Sequence, residues 1–235
     1  MLNDQNAEYW QNYKPGEIPS PTQEPPEELL KSISGRALDI GTGDGKIAEK
    51  LAKRKLDVFG IDIAKNIIEA NIKRNSKVDY SVQDITKRTT FPDNSFDLIT
   101  SRYTLTNIHQ ESWESLGEEV FRILKPRGLF WVFEPLVSAS YSERYRLSNY
   151  LLKDKNCVYV FSEKNLAEKI KKKEDLEDAI KQKKVIRIVK HYTREELENI
   201  FKELKLIQWR RAEVNSPSGF KIETFEGVFQ KQQNQ

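Results

Sequence analysis

Apolar and polar positions change period several times along the 235-residue chain. Residues 36–41, RALDIG, form an apolar run of strand length. Residues 44–54, DGKIAEKLAKR, place Ile47 and Leu51, and Ala48 and Ala52, four apart, the spacing of one helix face. LDVFGIDI, KVDYSVQDI, SFDLITSRYT and LFWVFEP predict further strands, and AKNIIEANIKRN and ESWESLGEEVFRILKPRG the helices between them. Ser112 is the expected cap of the second of these helices, with Pro126 and Gly128 closing it. TREELENIFKELKLIQWRRAEV then predicts a helix capped by Thr193 and a sixth strand, and FKIETFEGVFQK a final one. Strands alternating with helices predict an α/β fold, a doubly wound parallel sheet covered on both faces. Such sheets bind ligands outside the carboxyl ends of the strands, at the topological switch point. Asp39, Asp62, Asp84 and Ser101 all fall at or near such ends.

Two segments depart from the alternation. Residues 1–33 carry five of the nine prolines, and Tyr9, Trp10 and Tyr13 lie close together ahead of them. The expectation is an arm, extended in its proline-rich part and helical from Glu27. Its aromatic residues are costly to leave in water, so it is read as folding back over a pocket as a lid. Residues 138–190 are Lys-rich and too long for an ordinary connection. They are read as an inserted, mostly helical lid subdomain after the fifth strand, within a main domain spanning 34–235. The run KIKKKEDLEDAIKQKK reads as a solvated helical face laced with ion pairs.

Composition narrows the classes. A net charge of +3 is too weak to imply nucleic acid by itself. The one cysteine, Cys157, cannot form an intrachain disulfide, and two isolated histidines do not suggest a metal site. No run approaches the apolar length of a membrane span, and the first 30 residues lack a signal-like core. The expectation is a soluble cytoplasmic protein with no bound metal and no membrane partner.

The chemistry centres on LDIGTGDGKIAEKLA, residues 38–52. A glycine-rich strand-to-helix turn lets backbone N–H groups approach a ligand. The dinucleotide fingerprint is G-x-G-x-x-G, whereas here the glycines run G-x-G-x-G with Lys46 at the place of the third. No phosphate-loop motif is present. Asp62 stands 21 residues after Gly41, where a carboxylate accepts hydrogen bonds from ribose hydroxyls. Asp84 stands where one can accept from an adenine amino group. Together they select adenosine, and Lys46 and Asp84 argue against an NAD oxidoreductase.

ALDIGTGDG, VFGIDIA, YSVQDIT, FPDNSFDLITSRYTLTNIHQ and VFRILKPRGLFWV, in that order over about residues 36–135, resemble the successive motifs of class I (Rossmann-like) S-adenosylmethionine-dependent methyltransferases. The resemblance is to the small-molecule type, methyltransferase domains 11 and 25. HYTREELENIFKELKL resembles the helix before that family's sixth strand. The resemblance implies a seven-stranded sheet with the last strand antiparallel, and S-adenosylmethionine as cofactor, released as S-adenosylhomocysteine. It implies that Gly41, Gly43 and Gly45 line the methionine and ribose part, with Asp39 near the methionine amine. It places Asp62 and Ile63 at the ribose, Asp84 and Ile85 at the adenine, and Ser101 at the amino-acid moiety through its backbone. The acceptor it implies is a small molecule or short peptide, methylated by direct in-line displacement.

Methyl transfer needs alignment and a pocket cleared of water, and a base only where the acceptor is protonated. The candidates for a base or orienting group are His109, Tyr103 and Glu134. His109 either faces the pocket or packs and caps beside the next helix. Tyr103 shapes the acceptor pocket or serves packing, and Glu134 ends the fifth strand within reach of an acceptor. His191 and Trp113 read as structural. The alternatives are a tRNA or rRNA methyltransferase, its Lys-rich insertion tracking phosphates, and a methyltransferase-like binding protein without turnover.

Overall fold

The computed structural model describes residues 2–13, 23–74, 77–137, 150–153, 156–162, 166–215 and 221–233. Helices α1 (Leu2–Asn12) and α2 (Glu27–Lys31) precede the first strand. The alternation that follows is β1 (Arg36–Ile40), α3 (Lys46–Lys53), β2 (Asp57–Asp62), α4 (Lys65–Lys73), β3 (Asp79–Val82) and β4 (Phe96–Arg102). After β4 come 3-10 turns at Leu105–Asn107 and Gln110–Ser112, then α5 (Trp113–Ile123) and β5 (Leu124–Pro135). The inserted segment holds β6 (Tyr150–Lys153), β7 (Cys157–Phe161), α6 (Leu166–Lys169), α7 (Lys173–Lys181) and β8 (Val185–Lys190). The chain closes with α8 (Arg194–Ile200), β9 (Lys205–Asn215) and β10 (Lys221–Gln230).

The main sheet has seven strands in the order β3-β2-β1-β4-β5-β10-β9. β1 to β5 pair in parallel, and β10 runs antiparallel to both β5 and β9. The order reverses between β1 and β4, the switch point at which a crevice opens. Successive strand residues face opposite layers. Leu38, Ile40, Ile99, Phe130 and Val132 pack with Leu116 and Val120 of α5 and Leu197 of α8. Ala37, Val58, Leu98, Trp131 and Phe133 pack on the other face with Leu30 of α2 and Ile47 and Leu51 of α3. Each large side chain so buried contributes about 1.5–3 kcal/mol, which is why the central strands read as nearly continuous apolar runs.

Three expectations change. Among its described residues the 138–190 insertion is not mostly helical. Its described part is an antiparallel sheet in the order β6-β7-β8, with α6 and α7 closing a small core around Phe161, Leu176 and Ile188. The β-branched and aromatic residues of CVYVF and VIRIVK carried that signal, and the surrounding lysines obscured it. Helix α5 ends at Ile123, ahead of Pro126 and Gly128, which belong to β5, and the Ser112 side chain makes no capping bond. Thr193 does cap α8: its Oγ1 accepts from Glu196 N–H at 3.1 Å while Glu196 accepts from Thr193 N–H at 2.9 Å. The N-terminal segment is helical over α1 as well as α2, and its expected extended stretch at 14–22 lies outside the described residues. The Lys-rich helix α7 carries Lys173–Glu177 and Lys181–Asp178 ion pairs on its exposed side.

Candidate active site

A cavity of about 840 Å³ opens at the carboxyl ends of β1, β2, β3 and β4. It lies in the upper part of the range of small-molecule sites, which suits a cofactor together with a second molecule. Its floor is the turn after β1. Gly41 and Gly43 line it with left-handed backbones, φ +61° and +51°. A β-carbon on Gly41 would come within 2.3 Å of the Thr104 hydroxyl oxygen, so this crossing of β1 and the post-β4 turn excludes any side chain. Gly45 stands off the cavity wall. It caps α3 in a left-handed conformation against the Tyr80 hydroxyl.

Asp39, Asp62 and Asp84 reach the cavity from three adjacent strands. Asp39 is buried and accepts from Thr42 Oγ1 at 2.8 Å and Thr100 Oγ1 at 2.7 Å. Burial pushes its carboxyl up to about 6, against the pull of those hydroxyls and of Arg102. Asp62 accepts from Gly43 N–H at 3.1 Å and Ala64 N–H at 2.9 Å, and Ile63 N–H adds a third backbone donor. Burial raises its pKa also. A carboxylate has about four acceptor sites, so these bonds orient Asp62 and leave it able to accept from a ligand. Asp84 is held by Thr86, through N–H at 2.9 Å and Oγ1 at 2.6 Å, and by Lys87 at 3.3 Å. Ile63 and Ile85 line the same wall.

The expected base and orienting residues separate. Tyr103 lines the cavity, with a left-handed backbone (φ +54°) and its ring edge-on to Phe133. His109 is not among the lining residues. It precedes the second 3-10 turn, and burial lowers its pKa. Glu134 is not among the lining residues either. It is fully buried beneath the post-β4 turn, where it accepts from Thr104 and Leu105 N–H at 2.9 Å each and from Thr106 N–H at 3.1 Å. Ser101 is buried beside it, 3.5 Å from its carboxylate, and the cavity is lined by Arg102 instead. His191 is buried against Leu136 O, and Trp113 donates to Ile108 O at 3.3 Å, both within the packing.

Further residues complete the wall. Asn6, Ala7, Trp10 and Tyr13 of the N-terminal segment line the cavity, as does Asn107 of the post-β4 turn. Asn6 is buried, and its amide pairs with the Ile188 backbone of β8, accepting from N–H at 2.8 Å and donating to O at 2.9 Å. It also donates to Asn107 O at 2.7 Å. Asn107 accepts from Arg187 Nε at 3.0 Å and donates to Tyr103 O at 3.0 Å. Arm, insertion and post-β4 turn therefore meet in one hydrogen-bonded cluster at the cavity's edge. The signal in sequence was only the aromatic cluster at Tyr9, Trp10 and Tyr13.

No metal-competent cluster of three or more His, Cys, Asp or Glu occurs among the described residues, and no described helix is long and apolar enough to cross a membrane.

Residues 38–132 match a family model described as a methyltransferase domain. A demethylmenaquinone methyltransferase of Renibacterium salmoninarum is 32% identical over 99 residues, 42% of this chain and 40% of that protein. Phosphoethanolamine N-methyltransferase 1 of Arabidopsis thaliana is 32% identical over 146 residues, 57% of this chain and 28% of that protein. The matched region thus spans less than half the length of either relative. Among solved structures, a SAM-dependent methyltransferase from Methanosarcina mazei superposes with a TM-score of 0.72 at 22% identity, covering 90% of this chain and all of that one. A 1,6-didemethyltoxoflavin N1-methyltransferase of Burkholderia thailandensis, solved with S-adenosylhomocysteine, gives 0.58 at 12% identity over 88% of this chain and 75% of that one. Residues 38–132 thus match the methyltransferase-domain family, and the seven-stranded sheet has the Rossmann-like fold of the solved methyltransferases.

Proposed function

We propose that the protein is an S-adenosylmethionine-dependent methyltransferase acting on a small-molecule or short-peptide acceptor. The observation that carries this reading is the convergence of Asp39, Asp62 and Asp84 with the Gly41–Gly43 turn on one cavity. Three acids from neighbouring strands suit a ligand rich in hydroxyl and amino donors, and the bare turn admits it close to the backbone.

When bound, the cofactor supplies an electrophilic methyl on a positive sulfur, which becomes a neutral thioether as the acceptor–methyl bond forms. In this reading Asp62, with Ile63, holds the ribose, Asp84 and Ile85 hold the adenine, and Asp39 holds the methionine amine. Gly45 and Ser101 act at one remove, Gly45 by starting α3 and Ser101 through the strand that carries Arg102. Tyr103 shapes the acceptor side, and the arm and insertion exclude water. His109 and Glu134 position the post-β4 turn. The quinone and phosphoethanolamine methyltransferases among the relatives support a small-molecule acceptor. The paired lysines of α7 do not favour a phosphate-tracking role in RNA methylation.

Calorimetric titration of the full chain with S-adenosylmethionine, S-adenosylhomocysteine and NAD tests the reading. Affinity on the order of micromolar for the first two, and none for NAD, is expected. Binding of NAD alone would overturn it.

A further inference from the structure

The cavity has a second side, built by α1, the end of β4 and the turn after it. Its residues include Ala7, Trp10, Tyr13, Arg102, Tyr103 and Ile108. Three of these are aromatic and two aliphatic. Trp10 and Tyr13 stand edge to face with centroids 5.2 Å apart. The Arg187 guanidinium, which does not line the cavity, lies over the Trp10 ring at 4.7 Å. A cation over the ring face attracts the indole and helps to hold it in place. The position of the indole is fixed further by the Asn6 amide, which ties α1 to Ile188 and Asn107.

Polar groups along this side are engaged with the protein. The Asn6 and Asn107 amides bond to backbone and to Arg187, and Thr104 Oγ1 donates to Ile40 O at 3.0 Å. Arg102 is the one cation that lines this side among the described residues. It donates to Gln23 O at 2.8 Å, and its charge acts on the buried Asp39. Glu111 adds a carboxylate to the same wall. The remaining cations of the cavity lie toward the acids of the other side, where Lys46 pairs with Asp44, Lys87 with Asp84 and Arg74 with Glu49. A phosphomonoester dianion gains most from charge-assisted donors. A flat, uncharged ring gains from offset or edge contacts with aromatic neighbours.

We propose that the methyl acceptor is an uncharged molecule that presents a planar ring to Trp10, Tyr13 and Tyr103, in preference to a phosphomonoester. This rests on the methyltransferase reading and deepens it by naming the acceptor's chemical class. The phosphoethanolamine methyltransferases among the relatives make phosphoethanolamine the natural comparison.

The test uses the full chain, first saturated with S-adenosylhomocysteine and then titrated separately with 2-naphthol, an uncharged bicyclic ring, and with phosphoethanolamine. 2-Naphthol is expected to bind at least about tenfold more tightly than phosphoethanolamine. Trp10→Ala is expected to lose about tenfold in 2-naphthol affinity, Trp10→Phe to retain most of it, and both to bind S-adenosylhomocysteine. Tighter binding of phosphoethanolamine, or 2-naphthol affinity indifferent to Trp10→Ala, overturns the proposal while the cofactor reading stands. Failure of the wild-type chain to bind S-adenosylhomocysteine overturns the methyltransferase reading and this inference with it.

Discussion

The buried carboxylate of Glu134 accepts the backbone N–H of Leu105 at 2.9 Å, from beneath the turn that walls the cavity. With the N–H groups of Thr104 and Thr106 it forms a three-donor anchor for that turn. Thr104 and Ile108 line the cavity, so the anchor places part of its wall.

Burial pushes the Glu134 carboxyl up to about 8 from an ordinary value of 4.5, against the pull of those three donors. A raised folded pKa means the folded state binds more protons between these values. Its contribution to stability is therefore full below about 4.5 and is lost as pH rises toward 8. Glu134→Gln removes this titration. The unfolding free energy of wild type relative to the variant should fall across that interval by a few kcal/mol at most. Denaturant melts at a series of pH values measure it, and a pH-independent difference refutes it.

Asp62 bonds to Gly43 and Ala64 N–H and stands at the cavity. Asp62→Ala should abolish measurable S-adenosylhomocysteine binding, since each charge-assisted bond lost is worth about 1.5–3 kcal/mol. The exposed backbone donors can turn to water, so the melting temperature should fall by only about 2–8 °C. Unchanged affinity in a titration would sink the ribose assignment.

Gly41 and Gly43 share left-handed backbones, but only Gly41 has no room for a β-carbon. Gly41→Ala should therefore destabilise the fold more than Gly43→Ala, by about 1–3 kcal/mol, the usual cost of forcing a group into a packed site. Equal melting temperatures for the two variants would show that Thr104 yields.

Asn6 joins α1 to β8 and to the post-β4 turn. Asn6→Ala should accelerate hydrogen exchange at the Ile188 amide, whose acceptor it removes. Removal of residues 1–20 should reduce acceptor turnover more than thermal stability, because α1 covers the cavity and lies outside the main sheet. Wild-type exchange at Ile188 and wild-type kinetics of the truncated chain would refute the lid.

How much was legible in the sequence depended on the range of the forces involved. The strand and helix alternation from Arg36 to Pro135, the Thr193 capping box and the acids at strand ends are local patterns, set by side-chain period and by bonds between near neighbours. Topology then placed Asp39, Asp62 and Asp84 in one crevice, because parallel strands expose their carboxyl ends together.

Tertiary structure decided the rest. Glu134 and Asp62 are both carboxylates at strand ends, yet one opens on the cavity and the other is sealed beneath a turn that folds over it. Strand β7 of the insertion pairs with β8 beyond α6 and α7, a contact that local composition rich in lysine does not reveal. Asn6 meets Ile188 across 182 positions. The sequence by itself therefore determined the sheet and its row of acids, since both follow from contacts a few residues long. Which side chains face the second molecule was decided only when arm, insertion and turn closed on one another, because burial is a property of the neighbours and not of the residue.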